Sequence, residues 1–113
     1  MIRRLLIANR GEIAFRVIRT AKRLGIETVL GASEADLNSA AAWLADHIVK
    51  VGPAPSAQSY LDVAKVIAAT KLSGADALHP GYGFLSENVG LARACAEAGI
   101  AFVGPSSSSL EAM

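Results

Sequence analysis

Residues 79–88, HPGYGFLSEN, set a histidine, a tyrosine between two glycines and a glutamate directly after a short apolar run. Gly81 and Gly83 free the backbone on either side of Tyr82, so the chain there can take a positive φ or admit a ligand closely, with the phenol held outward. Two ordinary turn glycines give the same pattern, so Gly-x-Gly alone selects no chemistry. Glu87 supplies a carboxylate able to pair with a guanidinium or to accept a hydrogen bond from an amide or ureido N–H. Ser86 and Asn88 precede a helical pattern and suit an N-cap as well as a ligand contact. His79 stands before Pro80 with no second His, Cys or paired carboxylate at ligand spacing, so it is expected to hydrogen-bond within its turn and not to hold a metal.

The other place where a strand pattern breaks into a glycine-containing turn is the opening, MIRRLLIANRGE. A dinucleotide fingerprint needs GxGxxG; this turn has Gly11 alone, and the SEAD that follows the next strand gives no clean ribose-binding partner. Glu12 puts a carboxylate at the positive end of the helix dipole, which disfavours phosphate there and is well explained as a cap-region residue.

The elements that must position these turns can be read from periodicity. Short apolar runs at 4–8, 27–32, 47–51, 77–79 and 100–103 predict strands, and 3.6-residue periodicity predicts helices over 11–24, 39–45, 61–71 and 89–98. In the first helix Ile13, Ala14, Val17, Ile18, Ala21 and Leu24 share an inner face, opposite Glu12, Arg16, Arg19 and Arg23, with Phe15 at the margin. Leu61, Ala64, Ile67 and Ala68 are the expected inner side of the third helix. Ser106 to Ser109 offer an N-cap to a further helix. Strands alternating with helices mean βαβ units: an α/β fold with a doubly wound, parallel, five-stranded, Rossmann-like sheet in the order 3-2-1-4-5. In that order strands one and four are neighbours at the switch point, which places residues 9–12 and 80–88 on one crevice.

With 113 residues, 52% of them hydrophobic and 19% charged, the chain has room for one ordered core and is too apolar for disorder. A net charge of +1 gives no field to recruit nucleic acid or an anionic membrane. No apolar run approaches the roughly 18 residues needed to span a bilayer. The opening Met-Ile-Arg-Arg runs straight into a strand and is not a secretory leader. Cys95, the one cysteine, lies at helical spacing from Leu91 and Ala98 and reads as a small buried hydrophobe.

Four runs taken together, IANRGEIAFRVIR (7–19), VGPAPSAQSYL (51–61), HPGYGFLSEN (79–88) and FVGPS (102–106), closely resemble the N-terminal domain of biotin carboxylase, found in the carboxylases of acetyl-, propionyl- and methylcrotonyl-coenzyme A, pyruvate and urea. The resemblance covers essentially the whole chain. It implies a pre-ATP-grasp domain of an enzyme that carboxylates biotin on a carrier, using ATP with Mg2+ or Mn2+ and bicarbonate. The ATP-grasp domain and a further C-terminal portion would lie beyond Met113, leaving no catalytic or metal-binding residue within residues 1–113 and an inert fragment. The turn of Gly81, Tyr82 and Gly83, with His79, Glu87 and Asn88, would then face the biotin and bicarbonate end. Implied partners are the ATP-grasp domain, a biotin carboxyl carrier, a carboxyltransferase and a second copy, met through Phe15, Arg16, Arg19 and Arg23. The implied compartment is the cytoplasm, or the mitochondrial matrix in a eukaryote. The sequence departs from the family pattern at Leu37 and Ala41, in a stretch usually basic and histidine-bearing, and at Arg23, where some members are acidic. A non-catalytic assembly module and a free-standing nucleotide-binding domain are the other readings of the same layer.

Overall fold

The computed structural model describes residues 2–53, 59, 62–81 and 89–103; Leu61, Tyr82, Gly83, Phe84, Leu85, Ser86, Glu87, Asn88 and the serines 106–109 lie outside the described residues. The elements run β1 (Arg4–Ile7), α1 (Gly11–Arg23), β2 (Glu27–Ser33), a 3-10 turn (Glu34–Asp36), α2 (Ala40–Leu44), β3 (His47–Gly52), α3 (Val63–Leu72), β4 (Ala77–His79), α4 (Val89–Ala98) and β5 (Ala101–Phe102). All pairings are parallel and the order is β3-β2-β1-β4-β5, as the sequence predicts. Connections from β1 toward β3 and from β3 toward β5 run in opposite directions across the sheet. Right-handed crossovers therefore place α1 and α2 on one face and α3 and α4 on the other.

The two cores follow from alternation along the strands. Leu6, Val29 and Leu78 meet Val66, Ala69, Leu91 and Cys95 of α3 and α4. Leu5, Ile7, Leu30 and Ala77 meet Ala14, Ile18 and Ala21 of α1 and Ala41 and Ala42 of α2. A strand covered on both sides has no polar face, which is why the middle of β2, Val29 to Ala32, and Leu5 to Ile7 of β1 read as unbroken apolar runs.

Two inner-face expectations need correction. Leu24 is 71% exposed, because α1 ends at Arg23 and the chain turns away at Gly25, whose φ is +76°. In α3 the buried residues are Val66, Ala69 and Thr70, while Ala64 and Ala68 are exposed. Apolar residues surround most of that helix, so small ones mark no face. Thr70 Oγ1 donates to Val66 O at 2.8 Å, and a threonine satisfied inside its own helix packs like an apolar residue. Asp62 caps α3, its Oδ1 accepting from Lys65 N at 3.1 Å.

The ends where the strands begin are held by carboxylates. Asp76 accepts from Arg4 N at 3.0 Å and Arg3 N at 3.1 Å, and Asp46 from Thr28 N at 2.8 Å and Thr28 Oγ1 at 3.0 Å. These backbone hydrogen bonds hold both carboxyls below the usual aspartate range. Glu27 Oε1 makes no hydrogen bond of good geometry but lies between the Arg4 guanidinium and His47 Nε2, the latter at 3.2 Å.

Cys95 is fully buried, as expected, and burial pushes its thiol up to about 11. At pH 8 an aromatic disulfide reagent should react with it about 100-fold more slowly in the folded chain than in the denatured one, given the scarcity of thiolate. Equal rates would place the sulfur at the surface. No described helix is long and apolar enough to cross a membrane.

Candidate functional site

β1 and β4 are neighbours, with Ile7 opposite His79, so the loops that leave their carboxyl ends emerge side by side. Ala8 N continues the ladder by donating to His79 O at 2.9 Å. Beyond that point a side chain takes over: Asn9, 2% exposed, donates from Nδ2 to Pro80 O at 2.7 Å, while its Oδ1 accepts from Arg10 N at 2.8 Å. The two loops thus share one rim at the switch point, as the strand order requires.

Gly81 is buried with φ +70°. A Cβ there would lie 2.5 Å from Asn9 Nδ2 and 2.9 Å from Asn9 Cγ, so both the backbone conformation and the close approach of Asn9 demand glycine. Of the sequence-predicted site residues, the structure places His79 and Gly81 together on this rim. Tyr82, Gly83, Glu87 and Asn88 lie outside the described residues.

His79 hydrogen-bonds within its turn, its Nδ1 accepting from Gly81 N at 2.9 Å. That assignment leaves the proton of the neutral ring on Nε2. Burial holds the imidazole below its ordinary value of 6.5, and protonating Nδ1 would also remove the acceptor that Gly81 uses. The folded state therefore binds fewer protons than the unfolded one in the window just under pH 6.5. Stability from this group is complete above 6.5 and is lost as pH falls from there toward the folded value. Urea midpoints should be lower at mildly acidic pH than at neutral pH, and the difference should shrink in His79→Gln. An unchanged difference would show the imidazole to be uninvolved.

The rim extends to a third loop. Asp36, in the 3-10 turn after β2, pairs with Arg10 at 3.3 Å and accepts from Ser33 Oγ at 2.8 Å. Asp36 is thus engaged with the guanidinium of the neighbouring loop. At the start of α1, Arg10 gives no side-chain cap, and Glu12 pairs with Arg16 at 2.7 Å. The first turn of α1 carries an acidic residue, which disfavours a phosphate there. Among the described residues no group of three His, Cys, Asp or Glu side chains is arranged to hold a metal ion.

On the expected interface helix, Arg16, Arg19 and Arg23 are exposed. Phe15 is half-buried against the cluster shared with α2, and Arg19 Cζ lies 6.0 Å from its ring centroid. Beside α1 an apolar groove of about 610 Å³ runs between Ile13, Val17, Leu5 and Val103. Sequence reasoning assigned Asn9 no part of its own. The available signal was a residue that both donates and accepts, directly after a strand buried on both faces.

A family profile described as the biotin carboxylase N-terminal domain matches residues 1–110. The alpha subunit of mitochondrial methylcrotonoyl-CoA carboxylase from Mus musculus is 55% identical over 112 residues, 99% of this chain and 16% of that protein. Biotin carboxylase 1 of Bacillus subtilis is 50% identical over 113 residues, all of this chain and 25% of that protein. The crystal structure of a Campylobacter jejuni biotin carboxylase in complex with β,γ-ATP superposes with a TM-score of 0.95 at 44% identity, covering 100% of this chain and 25% of that one. The chain spans a quarter or less of the length of these relatives. With a profile matched along almost its entire length and a sheet of the same build, it belongs to the family of biotin carboxylase N-terminal domains.

Proposed function

We propose that this chain serves as the N-terminal domain of an enzyme that carboxylates carrier-bound biotin with bicarbonate and ATP, in the presence of Mg2+ or Mn2+. Within it, the β1–β4 rim forms one wall of the biotin and bicarbonate end of the crevice. The observation that carries the reading is the Asn9 to Pro80 bond, which joins the two loops at the one place where a doubly wound sheet receives ligands.

Residues of the β1–α1 turn do not fit a nucleotide or its metal: Glu12 occupies the helix N-terminus, and Arg10 is bound to Asp36. The family resemblance assigns ATP and metal to an ATP-grasp domain elsewhere in the polypeptide, and leaves the isolated chain inert. Its remaining partners are a carrier domain, a carboxyltransferase component and a second copy docked through Phe15, Arg16, Arg19 and Arg23. The compartment is the cytoplasm, or the mitochondrial matrix in a eukaryote.

Tyr82 and Gly83 come next after Gly81, with Glu87 and Asn88 further along the same run, and the family resemblance assigns all four to this site, the glutamate orienting basic groups of the rest of the enzyme. In the complete enzyme, Tyr82→Ala and Glu87→Gln should each lower kcat/KM for free biotin by about tenfold or more while leaving ATP binding nearly unchanged. Wild-type rates in both would remove the proposed wall.

A further inference from the structure

We propose that Asn9 is a positioning residue for biotin carboxylation, its carboxamide setting the His79–Gly81 turn and hence the biotin end of the crevice; this rests on the functional reading above. Three hydrogen bonds define the turn, one for each of its residues. His79 O accepts from Ala8 N at 2.9 Å, Pro80 O from Asn9 Nδ2 at 2.7 Å, and His79 Nδ1 from Gly81 N at 2.9 Å. Only the middle bond comes from a side chain of the opposing loop. It forms where the backbone ladder between β1 and β4 has run out, so Nδ2 stands in for a strand N–H.

The chemistry of the site selects an amide. Its oxygen takes the Arg10 N–H of its own loop, while its nitrogen reaches across to Pro80. One planar group thereby fixes the spacing of both loops. The side chain is 2% exposed, and it lies against Gly81 so closely that a Cβ there would overlap it. An ionised aspartate of the same shape could still accept from Arg10 N but would turn lone pairs toward the Pro80 carbonyl. The buried carbonyl would then lose its donor and the turn would move outward to find water. Because a displacement of about 1 Å costs on the order of 100-fold in a reaction that depends on alignment, a modest movement is sufficient to be read in kinetics.

The test compares Asn9→Asp and Asn9→Ser in the complete biotin carboxylase polypeptide carrying this domain, with free biotin as the probe. Both variants should raise the KM for biotin about tenfold and leave the KM for ATP within about twofold. Amide exchange at Gly81 should quicken about tenfold while that at Ala8, in the strand ladder, stays unchanged. Should Asn9→Asp fail to fold, Asn9→Ser, which keeps a small neutral hydroxyl at the site, carries the comparison. An active wild type whose two variants keep the biotin KM would overturn the inference. So would a parallel rise in both KM values, which marks general loosening. A wild-type polypeptide that carboxylates no biotin would overturn the functional reading itself, an outcome distinct from either of these.

Discussion

Gly81→Ala should destabilise the chain by about 3 kcal/mol, the sum of a left-handed conformation imposed on a residue with a Cβ and an overlap that no rotamer relieves. The strain comes from φ +70°, and the overlap from Asn9, whose Nδ2, Cβ and Cγ would all lie within 2.9 Å of the added carbon. Asn9 cannot retreat without giving up Pro80 O and Arg10 N. Other glycines separate the two contributions. Gly25 shares the positive φ, at +76°, but a Cβ there meets nothing within 4 Å, so Gly25→Ala should cost only about 1 kcal/mol. Gly31 has an ordinary φ, and its Cβ would meet Cδ2 of Leu6 and Cγ2 of Val51, both in buried side chains, at 3.0 Å. Thermal midpoints should fall by roughly 10 °C or more for Gly81→Ala and by a few degrees for Gly25→Ala. Equal shifts would mean that Asn9 does not press on the turn.

The architecture was legible because the strands are short, mostly apolar runs, several of them bounded by glycine or proline, and because alternation with helices leaves few ways to wind a sheet. Leu24 escaped because a helical wheel does not show where its helix stops, and Gly25 stops it one residue early. The buried face of α3 escaped because Thr70 reads as polar until its hydroxyl is seen bonded to Val66. At the rim, His79 and Gly81 stood out by type and spacing. Asn9 and the Arg10 to Asp36 pair did not, since their partners lie 71 and 26 positions away and only the folded sheet brings them together. Local pattern can propose which residues line a crevice. It does not show which side chain fastens one loop to the other.

The same sheet that sets the rim limits how far its core can be altered. Leu78→Ala should cost about 3 to 4 kcal/mol, the upper part of the range for a leucine truncated where the surroundings cannot collapse. Its side chain is fully buried in the cluster with Leu6, Val66, Leu91 and Ile100. The backbone around it is held from both sides, opposite Leu6 in β1 and Phe102 in β5, with Leu78 O accepting from Val103 N at 2.8 Å. A strand pinned in this way cannot sink into the space left by the lost methyls, so the cavity persists. For a chain of this length, total stability is on the order of 6 to 15 kcal/mol, so the loss is a large fraction of it. Leu72→Ala serves as the comparison, because Leu72 is 81% exposed and its truncation should change stability by less than about 0.5 kcal/mol. Far-UV circular dichroism is the suitable signal: Trp43, at 84% exposure, gains little contrast on unfolding. Since β4 ends at His79 and leads directly into Pro80 and Gly81, the weakened strand should also hasten amide exchange at Gly81. A Leu78→Ala chain as stable as Leu72→Ala would mean that β4 is not a tightly packed interior strand on which the rim is built.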